Sequence, residues 1–185
     1  DVLKKNLTKK EMEHLKTAFD QVGTIAIMEI PPELEAKQRF IGMTLIEMNK
    51  SIQTVVKKSG AHAGELRLRS VDYVAGKRTT TTTHKESGCE FTLDIEKVYF
   101  SVRLGTERLR IANLITEGEE VLVMFSGCGP YPIVISKNSP AKSITAVELN
   151  EVGHEFALAN VKKNRVKNVE VLQGNVREVV PKLNK

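Results

Sequence analysis

The spacing of apolar residues changes from helical to strand-like periods along the first half of the chain. Thr8-Lys9-Lys10-Glu11 has the form of a capping box, which satisfies free N–H groups at a helix start. Apolar residues at steps of three to four then predict that this helix continues as far as Val22. Residues 24–30 are mostly apolar and predict a buried strand. After Pro31-Pro32, a second apolar face predicts a helix to about Ser51.

Four further segments predict strands, and Ser87-Gly88 between the last two predicts a hairpin turn. These segments are residues 54–58, 65–75, 79–84 and 89–95. Residues 1–97 are therefore expected to form a small α+β domain.

Strand and helix patterns alternate in residues 98–185, where a second, α/β domain is expected. Strands are predicted at 120–125, 143–149 and 169–173, and helices at 107–115, 133–138, 151–164 and 176–183. Such alternation is typical of a parallel sheet whose strands are joined by helical crossovers.

Charge is unevenly distributed along the 185 residues, which carry a net charge of +5. Residues 57–110 hold 11 basic residues against 7 acidic ones. This excess fits either an ordinary solvated surface or a region that faces a polyanion such as RNA. The longest wholly apolar run, residues 121–125, is far shorter than the roughly 20 residues that span a bilayer. We expect no membrane association and a cytoplasmic location.

The cysteines and histidines exclude two kinds of structural site. Cys89 and Cys128 are too few for a disulfide scaffold, and the four histidines show no metal-ligand spacing. We expect reduced thiols and no bound metal.

A glycine-rich segment, Phe125-Ser126-Gly127-Cys128-Gly129-Pro130, directly follows the first predicted strand of the second domain. Glycines at such a place let the backbone turn sharply and approach a ligand closely. Pro132 stands where a dinucleotide fingerprint has its third glycine, which argues against NAD. No phosphate-loop motif is present, which disfavours an ATPase.

Two polar residues lie at the ends of the next two predicted strands. Glu148 lies 21 residues after Gly127 and is placed to accept hydrogen bonds from ribose hydroxyls. Asn175, after Gly174, can face an adenine edge. Each has an ordinary alternative as a loop or cap residue. Together they favour an adenosine-containing cofactor, and S-adenosylmethionine fits better than NAD or ATP.

Several motifs resemble those of the archaeal and eukaryotic tRNA (guanine-N1)-methyltransferases, which modify the guanosine at position 37. The resemblance covers nearly the whole chain, and the Arg-Leu-x-Thr-Glu-Arg block is its most specific part. The matching segments are GELRLR at 64–69, HKESGC at 84–89, YFSVRLGTERLR at 99–110 and VLVMFSGCGP at 121–130. The resemblance implies an RNA-contacting domain, residues 1–97, followed by part of a Rossmann-like class I methyltransferase domain, residues 98–185.

The resemblance also implies roles for individual residues. Glu107 matches the proposed general base, and the other catalytic positions are Arg67, Arg103 and Tyr99. The positions that contact S-adenosylmethionine are Phe125, Gly127, Gly129, Glu148 and Asn175. From the residues alone, an i,i+3 ion pair with Arg110 is the preferred interpretation of Glu107. The two arginines equally fit surface charge, and Tyr99 equally fits packing.

The chain departs from the family pattern at two residues and at its ends. Met124 stands where the family usually has Asp, and Asn175 replaces a commoner Asp. Set against the family pattern, the chain is expected to be truncated at both ends, lacking the fourth strand with its Asn-Pro-Pro-type motif and the N-terminal docking domain. Because the first strand, 121–125, lies centrally in complete class I domains, we expect it here on an open edge. A missing segment or a partner chain is expected to cover that edge, and the 185-residue chain by itself is expected to show weak or no catalysis.

Two other functions remain open. One is the aminocarboxypropyl transferase of wybutosine synthesis, a relative that uses the same cofactor. The other is a noncatalytic RNA-binding relative that has lost cofactor binding.

Overall fold

The structure is a computed structural model that describes residues 3, 6–60 and 64–183. Short 3₁₀ segments lie at Pro32–Lys37, Val102–Leu104 and Val180–Lys182. The helices are α1 (Lys9–His14), α2 (Gln38–Met48), α3 (Gly105–Ala112), α4 (Pro130–Asn138), α5 (Glu151–Asn164) and α6 (Val176–Val179). The strands are β1 (Phe19–Val22), β2 (Ile25–Met28), β3 (Thr54–Lys58), β4 (Val71–Gly76), β5 (Thr81–Glu86), β6 (Cys89–Asp94), β7 (Glu120–Met124), β8 (Ser143–Glu148) and β9 (Val169–Gln173).

The first half forms a four-stranded sheet in the order β1-β2-β3-β4. β1 and β2 are antiparallel, β2 and β3 are parallel, and β3 and β4 are antiparallel. Ile41 of α2 and Leu34 before it pack with Val55 and Ala75 in a buried cluster. The expected α+β character of this half is confirmed.

Two expectations for the first half are wrong. The helix that begins at the Thr8 capping box ends at His14, and Phe19–Val22 is strand β1. Gly23, at φ +54°, turns the chain so that Val22 pairs with Ile25 in a tight hairpin. In the segment 65–75, β4 begins only at Val71, because the chain forms a turn at residues 64–67.

The hairpin β5–β6 connects the two halves of the molecule. Its turn is Ser87-Gly88, as expected, with both residues at positive φ. The Thr82 hydroxyl on β5 accepts a hydrogen bond from the Thr24 N–H, at 3.0 Å. On the other side, the buried Asn160 side chain of α5 binds both the N–H and the C=O of Thr92 on β6.

The second half contains a three-stranded parallel sheet in the order β7-β8-β9. α4 packs against it through the fully buried Ile133 and Val134, beside Ile144 of β8. The expected α/β alternation is confirmed. The carboxyl ends of the three strands therefore meet at one edge, which is where open α/β sheets bind ligands.

β7 lies at one end of this sheet, and within the described part of the chain no strand pairs with its outer side. Leu122 and Met124 of β7, which share one face of the sheet, are exposed. The expectation that a missing segment or a partner chain covers this strand stays a prediction. Among the helices that the structure describes, none is both long and apolar enough to cross a bilayer.

Both cysteines are buried free thiols. Burial raises the pKa of Cys89 to about 11 and that of Cys128 to about 12. Neither thiol is therefore suited to act as a nucleophile near neutral pH.

Candidate functional site

The glycine-rich bend after β7 adopts a conformation that few residues other than glycine accept easily. Gly127 lies at φ +56° and Gly129 at φ +88°, and Gly129 directly precedes α4. A Cβ on Gly129 would lie 3.1 Å from Ile133 Cδ1. Phe125 also has a positive φ, of +60°, and its side chain is 75% exposed. The bend thus brings α4 close to the sheet while presenting an aromatic ring to solvent.

The carboxylate of Glu148 joins this bend to the end of β8. Glu148 is only 8% exposed. Its Oε2 accepts a hydrogen bond from the Gly127 N–H at 2.5 Å, and its Oε1 accepts one from the Asn150 N–H at 2.8 Å. A carboxylate has about four acceptor positions, so these two bonds fix its orientation and leave capacity for a ligand's hydroxyl groups.

A cavity of about 460 Å³, here called the Phe125 cavity, opens beside this carboxylate. Its volume lies within the range of about 300–1,000 Å³ that is usual for small-molecule sites. Five predicted site residues line it: Arg67, Tyr99, Phe125, Gly127 and Glu148. Residues far apart in the sequence are therefore brought together around one space.

Two predicted cofactor positions lie outside the lining of this cavity. Gly129, at the end of the bend, lies against Ile133 and Ala157 rather than beside the cavity. Asn175 caps α6, where its side-chain oxygen accepts a hydrogen bond from the Arg177 N–H at 3.0 Å. The roles expected for both residues stay predictions.

A second cavity of about 210 Å³, here called the Arg103 cavity, shares Tyr99 with the first. Lys58 and Arg69 also line it, which gives it a cationic wall. The Arg103 guanidinium makes two hydrogen bonds, of 2.9 and 3.2 Å, to the carboxylate of Asp20. The structure thus places Arg103 and Arg67 in neighbouring cavities on either side of Tyr99.

Glu107 lies in the first turn of α3, outside the lining of both cavities. Its carboxylate accepts two hydrogen bonds from Arg110, of 2.7 and 2.8 Å. This i,i+3 ion pair is the alternative that the sequence allowed. The hydrogen bond from Arg110 lowers the pKa of Glu107 below its usual range.

Arg108, beside Glu107, belongs to a buried ionic cluster that sequence reasoning missed. It is 1% exposed, although arginine is rarely so buried. Its guanidinium binds both carboxylate oxygens of Glu86, at 2.5 and 2.7 Å, and the Ser101 carbonyl at 3.0 Å. Burial by itself would raise the pKa of Glu86, but hydrogen bonds from His84 and Arg108 hold that pKa below its ordinary value.

The cluster supports the wall between the two cavities. Ser101 lies in the segment 99–103, whose residues line the Arg103 cavity and include the shared Tyr99. The Arg108 guanidinium also lies 5.1 Å from the ring centre of Phe100. The only hint in the sequence was that Glu86 and Arg108 lie within the motifs that carry the family resemblance.

A glycine bend after the first strand of a parallel sheet, joined to an acid at the end of the second, defines the Rossmann-like class of nucleotide-binding domains. Comparison with known sequences narrows this class. The profile of the TRM5/TYW2 methyltransferase domain matches residues 82–185, and that of the TYW2 N-terminal domain matches residues 1–79. The chain belongs to the TRM5/TYW2 methyltransferase family. The expected domain boundary at Lys97 stays a prediction.

Individual relatives agree with this assignment. The tRNA (guanine(37)-N(1))-methyltransferase Trm5b of Pyrococcus abyssi is 38% identical over 94% of this chain and 52% of its own length. Its crystal structure matches with a TM-score of 0.84. Trm5b of Methanocaldococcus jannaschii is 34% identical over 96% of this chain and 53% of its own length. The chain thus spans about half the length of these relatives.

Two solved complexes show what relatives bind. The structure of aTrm5 with tRNALeu has a TM-score of 0.84 and 34% identity over 96% of this chain and 53% of that one. Pyrococcus horikoshii TYW2 in complex with MeSAdo has a TM-score of 0.78 and 25% identity, over 96% of this chain and 62% of that one.

Proposed function

We propose that this chain takes part in transfer of a methyl group from S-adenosylmethionine to N1 of guanosine 37 in tRNA, in the cytoplasm. The observation that carries the proposal is the Glu148 carboxylate, which is oriented by the Gly127 and Asn150 N–H groups beside the Phe125 cavity. Family membership and the tRNA-modifying relatives support the same reaction.

The residues of the Phe125 cavity fit S-adenosylmethionine. Glu148 would accept hydrogen bonds from the ribose hydroxyls, and Phe125 would offer its exposed ring to an apolar part of the cofactor. We propose Gly127 and Gly129 as backbone positions that permit close approach, and Asn175 as a contact for adenine. When bound, the cofactor supplies an activated methyl group on a sulfonium, so the reaction needs no metal.

The Arg103 cavity fits the guanine base, because it is cationic and shares Tyr99 with the Phe125 cavity. Neutral guanine carries a proton on N1, so a base must remove it. We propose Glu107 for this role. Arg67 or Arg103 would stabilise the negative charge that develops on O6 of guanine. Tyr99 would hold the base at attack distance.

Glu107 must change its contacts in order to act. In the structure its carboxylate is bound by Arg110, and Glu107 lines neither the Phe125 cavity nor the Arg103 cavity. Catalytic hydrogen bonds often form only in the complex with substrate. We therefore propose that RNA binding draws Glu107 away from Arg110 towards guanine N1.

The mass of the modified nucleoside tests the reaction directly. We expect tRNA incubated with the full-length protein and S-adenosylmethionine to gain one methyl group on guanosine 37. The TYW2-type profile over residues 1–79 favours a second candidate, an aminocarboxypropyl transferase of wybutosine synthesis. That enzyme would add an aminocarboxypropyl group, whose larger mass distinguishes the two reactions. An unmodified nucleoside would contradict both and leave a noncatalytic RNA-binding role.

The substitution Glu148→Gln tests the cofactor site separately. We expect affinity for S-adenosylmethionine to fall on the order of 100-fold, because charge-assisted hydrogen bonds to the ribose weaken and one backbone N–H loses its acceptor. Calorimetric titration measures the change. Glu120→Gln is the matched control, because it removes the same charge from an exposed acid at the opposite end of the sheet. Equal affinities in the two variants would contradict the proposed role of Glu148.

A further inference from the structure

A third cavity, of about 440 Å³, lies on the sheet of the first half and shares no lining residue with the other two. We call it the Tyr73 cavity. Its polar lining residues are Asp72, Tyr73, Arg78, Thr79, Thr80 and Glu96. The proposed reaction assigns no role to any of them.

The mouth of this cavity carries a stacked cation and aromatic ring. The Arg78 guanidinium carbon lies 5.2 Å from the centre of the Tyr73 ring. Tyr73 is 40% exposed, yet its hydroxyl donates a 2.5 Å hydrogen bond to the Gly76 carbonyl, which fixes the ring on β4. Fixed aromatic rings and guanidinium planes are the surfaces on which unpaired nucleic-acid bases stack.

The polar groups around this pair favour a base over a phosphate group. The Asp72 carboxylate lies 3.9 Å from Lys57, on the opposite face of the sheet from the Tyr73 ring, because adjacent residues on a strand point to opposite faces. The Glu96 carboxylate accepts a hydrogen bond from the Val71 N–H at 3.0 Å. The Glu96 carboxylate in the same cavity as the Arg78 guanidinium repels a phosphate group, whereas it accepts hydrogen bonds from the amino groups of bases.

The Tyr73 cavity and the Arg103 cavity lie along the same pair of strands. Val56 pairs with Tyr73, and Lys58 pairs with Val71. Val56 lines the Tyr73 cavity, and Lys58, two residues further along β3, lines the Arg103 cavity. Because side chains two residues apart on a strand share a face, the two cavities open on the same face of the sheet.

We propose that the Tyr73 cavity binds the base of an unpaired RNA nucleotide other than the one that is methylated. The base stacks on the Tyr73–Arg78 pair, and its amino group faces the carboxylate of Glu96. RNA as the ligand rests on the proposed function. Binding at this site holds the RNA strand beside the Arg103 cavity and adds affinity that does not depend on the cofactor.

Binding of an anticodon stem-loop RNA, measured by fluorescence anisotropy without S-adenosylmethionine, tests this site. We expect Tyr73→Ala and Arg78→Ala each to weaken binding about tenfold, within the range for loss of one stacked base. Tyr73→Phe keeps the ring and should bind within about twofold of the wild type. Lys142→Ala is the matched charge control, because this exposed lysine lies at the far end of the second sheet, paired with Glu120.

Abasic substitutions at successive positions of the RNA loop identify the nucleotide. At one position, other than 37, the abasic RNA should bind the wild type about tenfold more weakly and show no further loss with Tyr73→Ala. Purely additive losses at every position would overturn the proposal, as would wild-type affinity of both alanine variants or failure of the chain to bind RNA. A reduced salt dependence for Arg78→Ala without coupling to any abasic position would indicate a phosphate contact and also overturn it.

Base binding at the Tyr73 cavity and methyl transfer can be tested separately. If the abasic coupling is found but no methyl group is transferred, the base site stands and the proposed reaction fails. If methyl transfer occurs and the Tyr73 and Arg78 variants bind RNA normally, the reaction stands and the base site fails.

Discussion

Replacing Arg108 by methionine is expected to lower the free energy of unfolding by about 3–5 kcal/mol, the range for breaking a buried ion pair from one side. Methionine fills much of the space but leaves the Glu86 carboxylate in the interior without its main partner. It also leaves the Ser101 carbonyl without the Arg108 donor. Urea denaturation followed by circular dichroism measures the loss.

Two further variants make this test specific. Arg110→Ala removes an arginine from the same helix, but its pair with Glu107 is exposed, so we expect little or no loss of stability. In the double variant Glu86→Leu with Arg108→Met, no charge of the pair remains, and much of the lost stability should return. Equal losses for Arg108→Met and Arg110→Ala would show that the buried pair does not hold the fold together.

This cluster also links stability to the site. Arg108 binds the carbonyl of Ser101, and Tyr99 and Arg103 lie two residues to either side of it. Loosening that segment would widen the cavities on both sides of Tyr99. A variant at Arg108 that still folds should therefore bind RNA more weakly, even though the guanidinium lines neither cavity.

The second half of the fold follows closely from local sequence patterns. Helix α5 has the predicted bounds, and β8 ends one residue before the predicted limit. These elements are predictable because each carries a complete signal of its own. Asn150 caps α5, and a run of apolar residues in β8 is buried between neighbouring strands.

The first half was less predictable because its signals are ambiguous. Phe19 and Val22 continue the helical spacing of Met12 and Leu15, yet they form a strand. The strand is stabilised by pairing with β2 across the turn at Gly23. The spacing of apolar residues along the chain does not reveal which segments pair. Tertiary pairing here overrides the local pattern.

The site was predictable where strand ends alone bring residues together. Gly127 lies just after β7 and Glu148 ends the neighbouring parallel strand β8. The strand order alone therefore brings the two residues together. The burial of Arg108 was not predictable, because an arginine on a short helix is usually exposed. Its partner Glu86 lies 22 residues earlier in the chain, on strand β5, and no local pattern indicates that the two side chains meet.

If the proposed reaction is correct, replacing Glu107 by glutamine in the full-length protein is expected to slow methyl transfer by about 10²–10⁴-fold, the usual contribution of a general base. Glutamine keeps the shape of the side chain but cannot accept the N1 proton. Single-turnover assays at saturating tRNA and cofactor measure the rate. Because Glu107 lines neither cavity, affinity for S-adenosylmethionine should stay the same. Wild-type rates in this variant would remove Glu107 from the role of base.

The pH dependence of the wild type adds an independent check. In the free protein Arg110 lowers the pKa of Glu107, and kcat/KM for tRNA reports the free protein, so kcat/KM should fall only at pH values below the ordinary range for glutamate. Arg110→Ala removes the cause of this shift, so the acidic limb of the rate profile should move to higher pH, towards the ordinary value for glutamate. Glu107→Gln should lack that limb altogether. An acidic limb that stays in place in both variants would assign the proton transfer to another group.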